Sequence, residues 1–174
     1  MKYKVLIIDD EESVGYSIKR ILENDGDIDS EIAMSGKKGI EMYNLNKYDI
    51  VISDLIMGEI NGLEVLKQIK EKDKDAVVIM ITGKGSEKIA AESIKSGAYD
   101  YFSKPFDYTD FFKTIRNAKE KIKLKRQNSE LEKLNKEHSS FCRLNYKSKE
   151  MAEIVFFIKK ISGTDCPVLI IRIS

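Results

Sequence analysis

Five side chains could act together in chemistry if the fold gathers them: Asp9, Asp10, Asp54, Thr82 and Lys104. Three converging carboxylates repel one another and need a cation among them; an oxygen-only donor set without His or Cys points to magnesium. Magnesium keeps open or water-filled positions, so such a site can accept phosphoryl oxygens while one carboxylate serves as the nucleophile. Lys104 would add a fixed positive charge and Thr82 a hydroxyl, both suited to hold a transferred phosphate. Singly, each residue has an ordinary use: a helix cap for Asp, a packed strand residue for Thr, a solvated charge for Lys. Their joint meaning depends on where they fall along the chain.

They fall at the ends of strands. Short apolar runs at residues 4–9, 27–32, 48–53, 76–81 and 98–102 alternate with segments 12–24, 36–46, 62–72 and 86–96, whose apolar residues recur at helical spacing, as in Leu63, Leu66 and Ile69. This is the pattern of an α/β fold, a five-stranded parallel sheet wound on both faces by helices. The runs at 4–9, 48–53 and 76–81 are nearly all aliphatic and read as central strands, whereas the polar run at 27–32 belongs near an edge. In such a sheet the carboxyl ends of the strands line one crevice. The first strand delivers Asp9 and Asp10, the third Asp54, the fourth Thr82 and the fifth Lys104. Gly97 sits where the fourth helix should stop, and Asn61-Gly62 and Ser86 sit where turns and caps belong.

A fifth helix starts at Asp107, and no Pro or Gly occurs between Pro105 and Gly163, so it should run to about Ser139. Its apolar seam, Phe111, Ile115, Ala118 and Ile122, resumes on a shifted phase at Leu124, Leu131 and Leu134. A seam that outruns the domain body needs a partner, and a second copy of the chain, giving a homodimer through this helix, is the simplest. Beyond it, a helix over 148–161 and a strand over 167–171 are expected.

At the residues of the crevice the sequence resembles the receiver domains of two-component response regulators, over about residues 3–122. The motifs that carry the resemblance are Val5-Leu-Ile-Ile-Asp-Asp-Glu11, Asp54-Leu-Ile-Met-Gly58 with Gly62-Leu63, Met80-Ile-Thr-Gly83, and Gly97-Ala-Tyr-Asp-Tyr-Phe-Ser-Lys-Pro-Phe106. The resemblance implies a flavodoxin-like (βα)5 fold with an extended last helix, and Asp54 as the acceptor of a phosphoryl group from a sensor histidine kinase. It implies Mg2+ held by Asp10, Asp54 and the backbone carbonyl of Ile56, with Asp9 acting through a metal-bound water. Thr82 and Lys104 would bind the phosphoryl group, and Tyr101 would be the aromatic switch residue. Gly58, where many relatives carry Pro, and Lys84-Gly85 after the fourth strand depart from the pattern without removing a ligand.

Residues 144–171 resemble the opening of the AAA+ ATPase domain of sigma-54-dependent activators. The expected organisation is a receiver over 1–122, an extended helix and linker over 107–140, and a truncated AAA+-like start over 144–174. In that family the strand runs into a glycine-rich phosphate loop ending Gly-Lys; here it is followed by Arg172, Ile173 and Ser174. No ATP hydrolysis and no direct DNA binding are therefore expected of the chain.

Charge and composition narrow the alternatives. Residues 1–112 hold 15 Lys and Arg against 22 Asp and Glu, and 113–138 hold 9 against 4; four glutamates break up that basic helix, which reads as a solvated face. No apolar run approaches the roughly 18–20 residues of a membrane span, so a cytoplasmic protein without membrane contact is expected. Two cysteines and one histidine support neither a disulfide framework nor a zinc site. A flavin protein would need a Ser/Thr/Gly-rich first loop, where Asp9-Asp-Glu-Glu12 would repel a phosphate. A dehalogenase-type phosphatase would need Asp-x-Asp after one strand. A binding-only module that titrates a kinase or a full-length relative remains the alternative to a working phosphoacceptor.

Overall fold

The computed structural model describes residues 2–83 and 87–140, together with 153, 154 and 156. The elements follow in strict alternation: β1 (Tyr3–Ile8), α1 (Glu12–Glu23), β2 (Ile28–Ala33), α2 (Gly36–Leu45), β3 (Ile50–Asp54), α3 (Gly62–Lys72), β4 (Val77–Thr82), α4 (Glu87–Lys95), β5 (Asp100–Ser103) and α5 (Tyr108–Ser140). All pairings are parallel and the strand order is β2-β1-β3-β4-β5. The chain is thus a flavodoxin-like doubly wound fold, as the alternating pattern predicts. The polar strand β2 lies at one edge, and the three aliphatic strands are central.

Successive side chains of a strand point to opposite faces, so the central strands feed two cores. Val5, Ile7, Ile50, Ile52, Val77, Ile79 and Ile81 pack with Ile18 and Leu22 of α1 and Phe111, Ile115 and Ala118 of α5. Leu6, Ile8, Val51, Val78 and Met80 pack on the other face with Val65, Leu66 and Ile69 of α3, with Ile40 of α2 and Ile89 of α4 against them. Each face hides apolar surface worth about 25 cal/mol per Å2. The contiguous aliphatic runs therefore need no polar alternation.

Boundaries shift by one or two residues from the sequence expectation. β5 begins at Asp100, not at 98, because Gly97 takes a positive φ of 94° to end α4 and Ala98 and Tyr99 complete the turn. Asn61 caps α3: its side chain accepts from the Glu64 amide at 2.9 Å and the Glu64 carboxylate accepts from the Asn61 amide at 3.2 Å. Ser86, expected as a cap, lies outside the described residues.

The chain divides into two compact units, Met1–Leu124 and Lys125–Ser174. In the second, Glu153, Ile154 and Phe156 are helical. The rest of the helix expected over 148–161, and the strand expected over 167–171, lie outside the described residues. Among the described residues no helix is long and apolar enough to cross a membrane.

One glycine fixes the approach of α3 to β3. A Cβ on Gly62 would run into the Asp54 carbonyl oxygen and the Leu55 backbone, while the Gly62 amide donates to the Leu55 carbonyl at 2.9 Å. Because the obstacle is backbone, it cannot rotate away. Gly62→Ala should lower stability in urea unfolding by about 1–3 kcal/mol. Gly58→Ala, where nothing lies within 4 Å of the added carbon, should stay within about 0.5 kcal/mol of the parent.

Candidate functional site

The carboxyl edge of the sheet is where the five chemistry-bearing residues meet. Asp9 follows β1, Asp54 and Thr82 are the last residues of β3 and β4, and Lys104 follows β5. The ladders hold these ends level: Asp54 pairs with Ile81 and Thr82 with Ser103. The Leu55 amide donates to the Ile81 carbonyl at 2.9 Å and the Lys104 amide to the Thr82 carbonyl at 2.7 Å.

Asp9 is buried, at 2% exposure. Its Oδ1 accepts the Glu11 amide at 2.9 Å and its Oδ2 the Lys104 ammonium at 3.0 Å. Lys104 Nζ also stands 3.6 Å from Asp54 Oδ1, an ion-pair distance beyond a good hydrogen bond. That oxygen is buried and has no hydrogen-bond partner among the described residues. Burial pushes the Asp54 carboxyl up from its ordinary range; Lys104 holds it down and neighbouring Asp9 pushes it up further. Asp10 is exposed at the mouth, and one oxygen from each of the three acids lies within 4.8 Å of the others.

This donor set fits a hard divalent cation. It offers oxygen alone, one carboxylate open to solvent, and one buried carboxylate oxygen that lacks a partner among the described residues. A single lysine between two buried acids leaves the pocket short of positive charge.

Thr82 is fully buried at the end of β4. Ile56 lies in the loop two residues past Asp54 with its side chain half exposed. Tyr101 is half-buried in β5, and its buried hydroxyl has no hydrogen-bond partner among the described residues; burial pushes the phenol up. Lys84 and Gly85 lie outside the described residues. Two neighbours of the site receive no role from the motifs: Ser53, whose buried hydroxyl donates to the Asp54 carbonyl at 3.0 Å, and Asp100, which lies inside the Gly97–Phe106 motif beside Tyr101. Ser53 carries no signal beyond being a polar residue in an aliphatic strand.

Residues 5–116 match the model of the response regulator receiver domain family. The chain belongs to that family. Receiver domains work in two-component systems as signalling modules, interact with histidine kinases and generally bind Mg2+ at an acidic pocket. The chain is 32% identical over 148 residues to the probable transcriptional regulator ycf29 of Porphyra purpurea, covering 84% of the chain and 69% of that protein. It is 30% identical over 166 residues to the C4-dicarboxylate transport transcriptional regulatory protein DctD of Rhizobium meliloti, covering 95% of the chain but 36% of DctD. Among solved structures, the beryllofluoride-activated NtrC4 receiver domain dimer matches with a TM-score of 0.64 and 35% identity, over 68% of the chain and 98% of NtrC4's.

The raised carboxyl of Asp54 has a consequence for stability. With the folded value above the unfolded one, the protonated form favours folding; that contribution is fully present below the ordinary carboxylate pKa and is lost as pH rises through the raised value. Ionised Asp54 is thus a liability to the fold at neutral pH. Asp54→Asn, neutral and of the same shape, should raise Tm by a few degrees at pH 7 without divalent cations, and the gain should vanish toward pH 3 in thermal melts.

Proposed function

We propose that this receiver accepts a phosphoryl group from a sensor histidine kinase on Asp54. The observation that carries the reading is the pairing of a buried, hydrogen-bond-deficient Asp54 carboxylate with Lys104 beside two further acids. In the transfer an Asp54 oxygen bonds to phosphorus as the bond from phosphorus to the donor's leaving group breaks. Asp10, Asp54 and the backbone carbonyl of Ile56 are the proposed Mg2+ ligands, with Asp9 acting through a water; once bound, Mg2+ supplies charge neutralisation for the incoming phosphoryl oxygens. Lys104, held by Asp9, is placed to pair with the phosphoryl group, and the Thr82 hydroxyl to donate to it.

Phosphorylation adds charge of about −1.5 to −2 and three strong acceptor oxygens at the end of β3. Drawing Thr82 toward them would open space beside β4 for Tyr101, whose hydroxyl has no hydrogen-bond partner among the described residues to hold it in place. The output would then be read on α4, β5 and the start of α5. Resemblance of 144–171 to sigma-54-dependent activators, and the likeness to DctD across nearly the whole chain, support a place in transcriptional regulation of that type, with the receiver at 1–122, the linking helix at 107–140 and an AAA+-like segment at 144–174. Self-association through α5 is supported by exposed Leu124 and Leu131, at 54% and 58%, and by the dimeric state of the NtrC4 receiver.

Intact mass after incubation with Mg2+ and a small acyl-phosphate donor tests the chemistry. A phosphate-sized gain is expected in the parent and none in Asp54→Ala; Lys104→Met should take up phosphate at least about tenfold more slowly, the loss of roughly one charge-assisted bond. A parent chain that gains nothing sinks the reading and leaves a binding-only module. Light scattering tests self-association: mass should rise toward a dimer on phosphorylation, and Leu124→Glu with Leu131→Glu should keep the chain monomeric.

A further inference from the structure

Asp100 uses one carboxylate oxygen within β5 and the other to reach α5. Oδ1 accepts the backbone amide of Tyr101 at 2.9 Å, and Oδ2 accepts the hydroxyl of Thr114 on α5 at 2.7 Å. Three other ties between the β5 region and α5 are of another kind. Phe102 meets Phe111 edge-on at 5.5 Å between ring centroids, Phe106 meets Phe111 at 5.2 Å, and Lys121 Nζ lies 5.2 Å from the Tyr99 ring centre. Apolar and cation–π contacts change little when groups slide by a few tenths of an ångström, whereas a hydrogen bond weakens steeply as its angle closes. Of these ties, the Thr114–Asp100–Tyr101 chain is the directional one.

At the other end of the sheet α5 is clamped separately. Lys119 Nζ bonds Asp25 at 2.7 Å and Asp27 at 2.6 Å, on the turn that enters β2, and the Tyr3 hydroxyl donates to the Lys119 carbonyl at 3.3 Å. That clamp lies five residues, more than one helical turn, beyond Thr114, so the start of α5 is held by separate contacts.

We infer that Asp100 is a positioning residue that couples Tyr101 to α5 through Thr114, so that a movement of the switch strand is passed to the helix as a change in one directional bond. This rests on the proposed roles of Asp54 and Tyr101. It adds the route from them to α5.

The experiment is hydrogen exchange of the full chain, with and without Mg2+ and an acyl-phosphate donor, for the parent, Thr114→Val and Thr114→Ser. Intact mass is recorded on the same samples. Valine keeps the branched shape of threonine and removes only the donor; serine keeps the donor. In the parent, phosphorylation should change exchange across residues 108–118 by about fivefold, the equivalent of one ordinary hydrogen bond. Thr114→Val should take the same phosphate and keep its response at 99–103, while the response at 108–118 falls below about twofold; Thr114→Ser should restore it. A phosphorylated Thr114→Val chain with an undiminished response at 108–118 overturns the coupling, as does a phosphorylated parent with no response there. Absence of a mass gain in the parent is read in a separate channel, and it brings down the Asp54 reading and the coupling with it.

Discussion

Two buried carboxylates, Asp9 and Asp54, share one ammonium, and much of the rest of the structure exists to hold that imbalance in place. A buried charge is tolerated only when paired and hydrogen-bonded. Asp9 meets that condition through Lys104 and the Glu11 amide. Asp54 meets it only in part: Lys104 stands back at 3.6 Å and Oδ1 has no hydrogen-bond partner among the described residues, and burial pushes its carboxyl up. A pocket that satisfies one acid and leaves its neighbour wanting has a built-in affinity for a cation, and for chemistry that changes the charge on the unsatisfied acid.

The sheet makes that arrangement rigid. Parallel strands bring their carboxyl ends to one edge, so residues separated by up to 95 positions, such as Asp9 and Lys104, become hydrogen-bonded neighbours. Gly62 lets α3 press on the backbone of Asp54 and Leu55 and so limits where the end of β3 can go. Packed cores on both faces resist continuous deformation, which favours discrete rearrangements over gradual ones.

The less satisfied groups mark where such a rearrangement would cost least. Asp54 Oδ1, Ser93 Oγ and the Tyr101 hydroxyl are buried without hydrogen-bond partners among the described residues, and they belong to β3, α4 and β5. No residue of β1, α1, β2, α2 or α3 joins them. An unmet buried polar group costs about 1–3 kcal/mol, so the resting arrangement is least secure where the proposed switch has to move.

Much of this was written locally in the chain. Aliphatic runs ending in Asp9, Asp54 and Thr82 specify buried parallel strands because no polar alternation leaves a face for water, and the polar run of β2 marks an edge. Asn61-Gly62 and Gly97 specify a cap and a stop through backbone chemistry that neighbours cannot change. What tertiary structure alone decided is which charges meet at what distance: that Lys104 bonds Asp9 and stands back from Asp54, that Lys119 closes on Asp25 and Asp27, and that Asp100 joins Tyr101 to Thr114. Periodicity and capping report interactions within a few residues. These pairings depend on strand register and on the seating of α5, which are set by packing across the whole core.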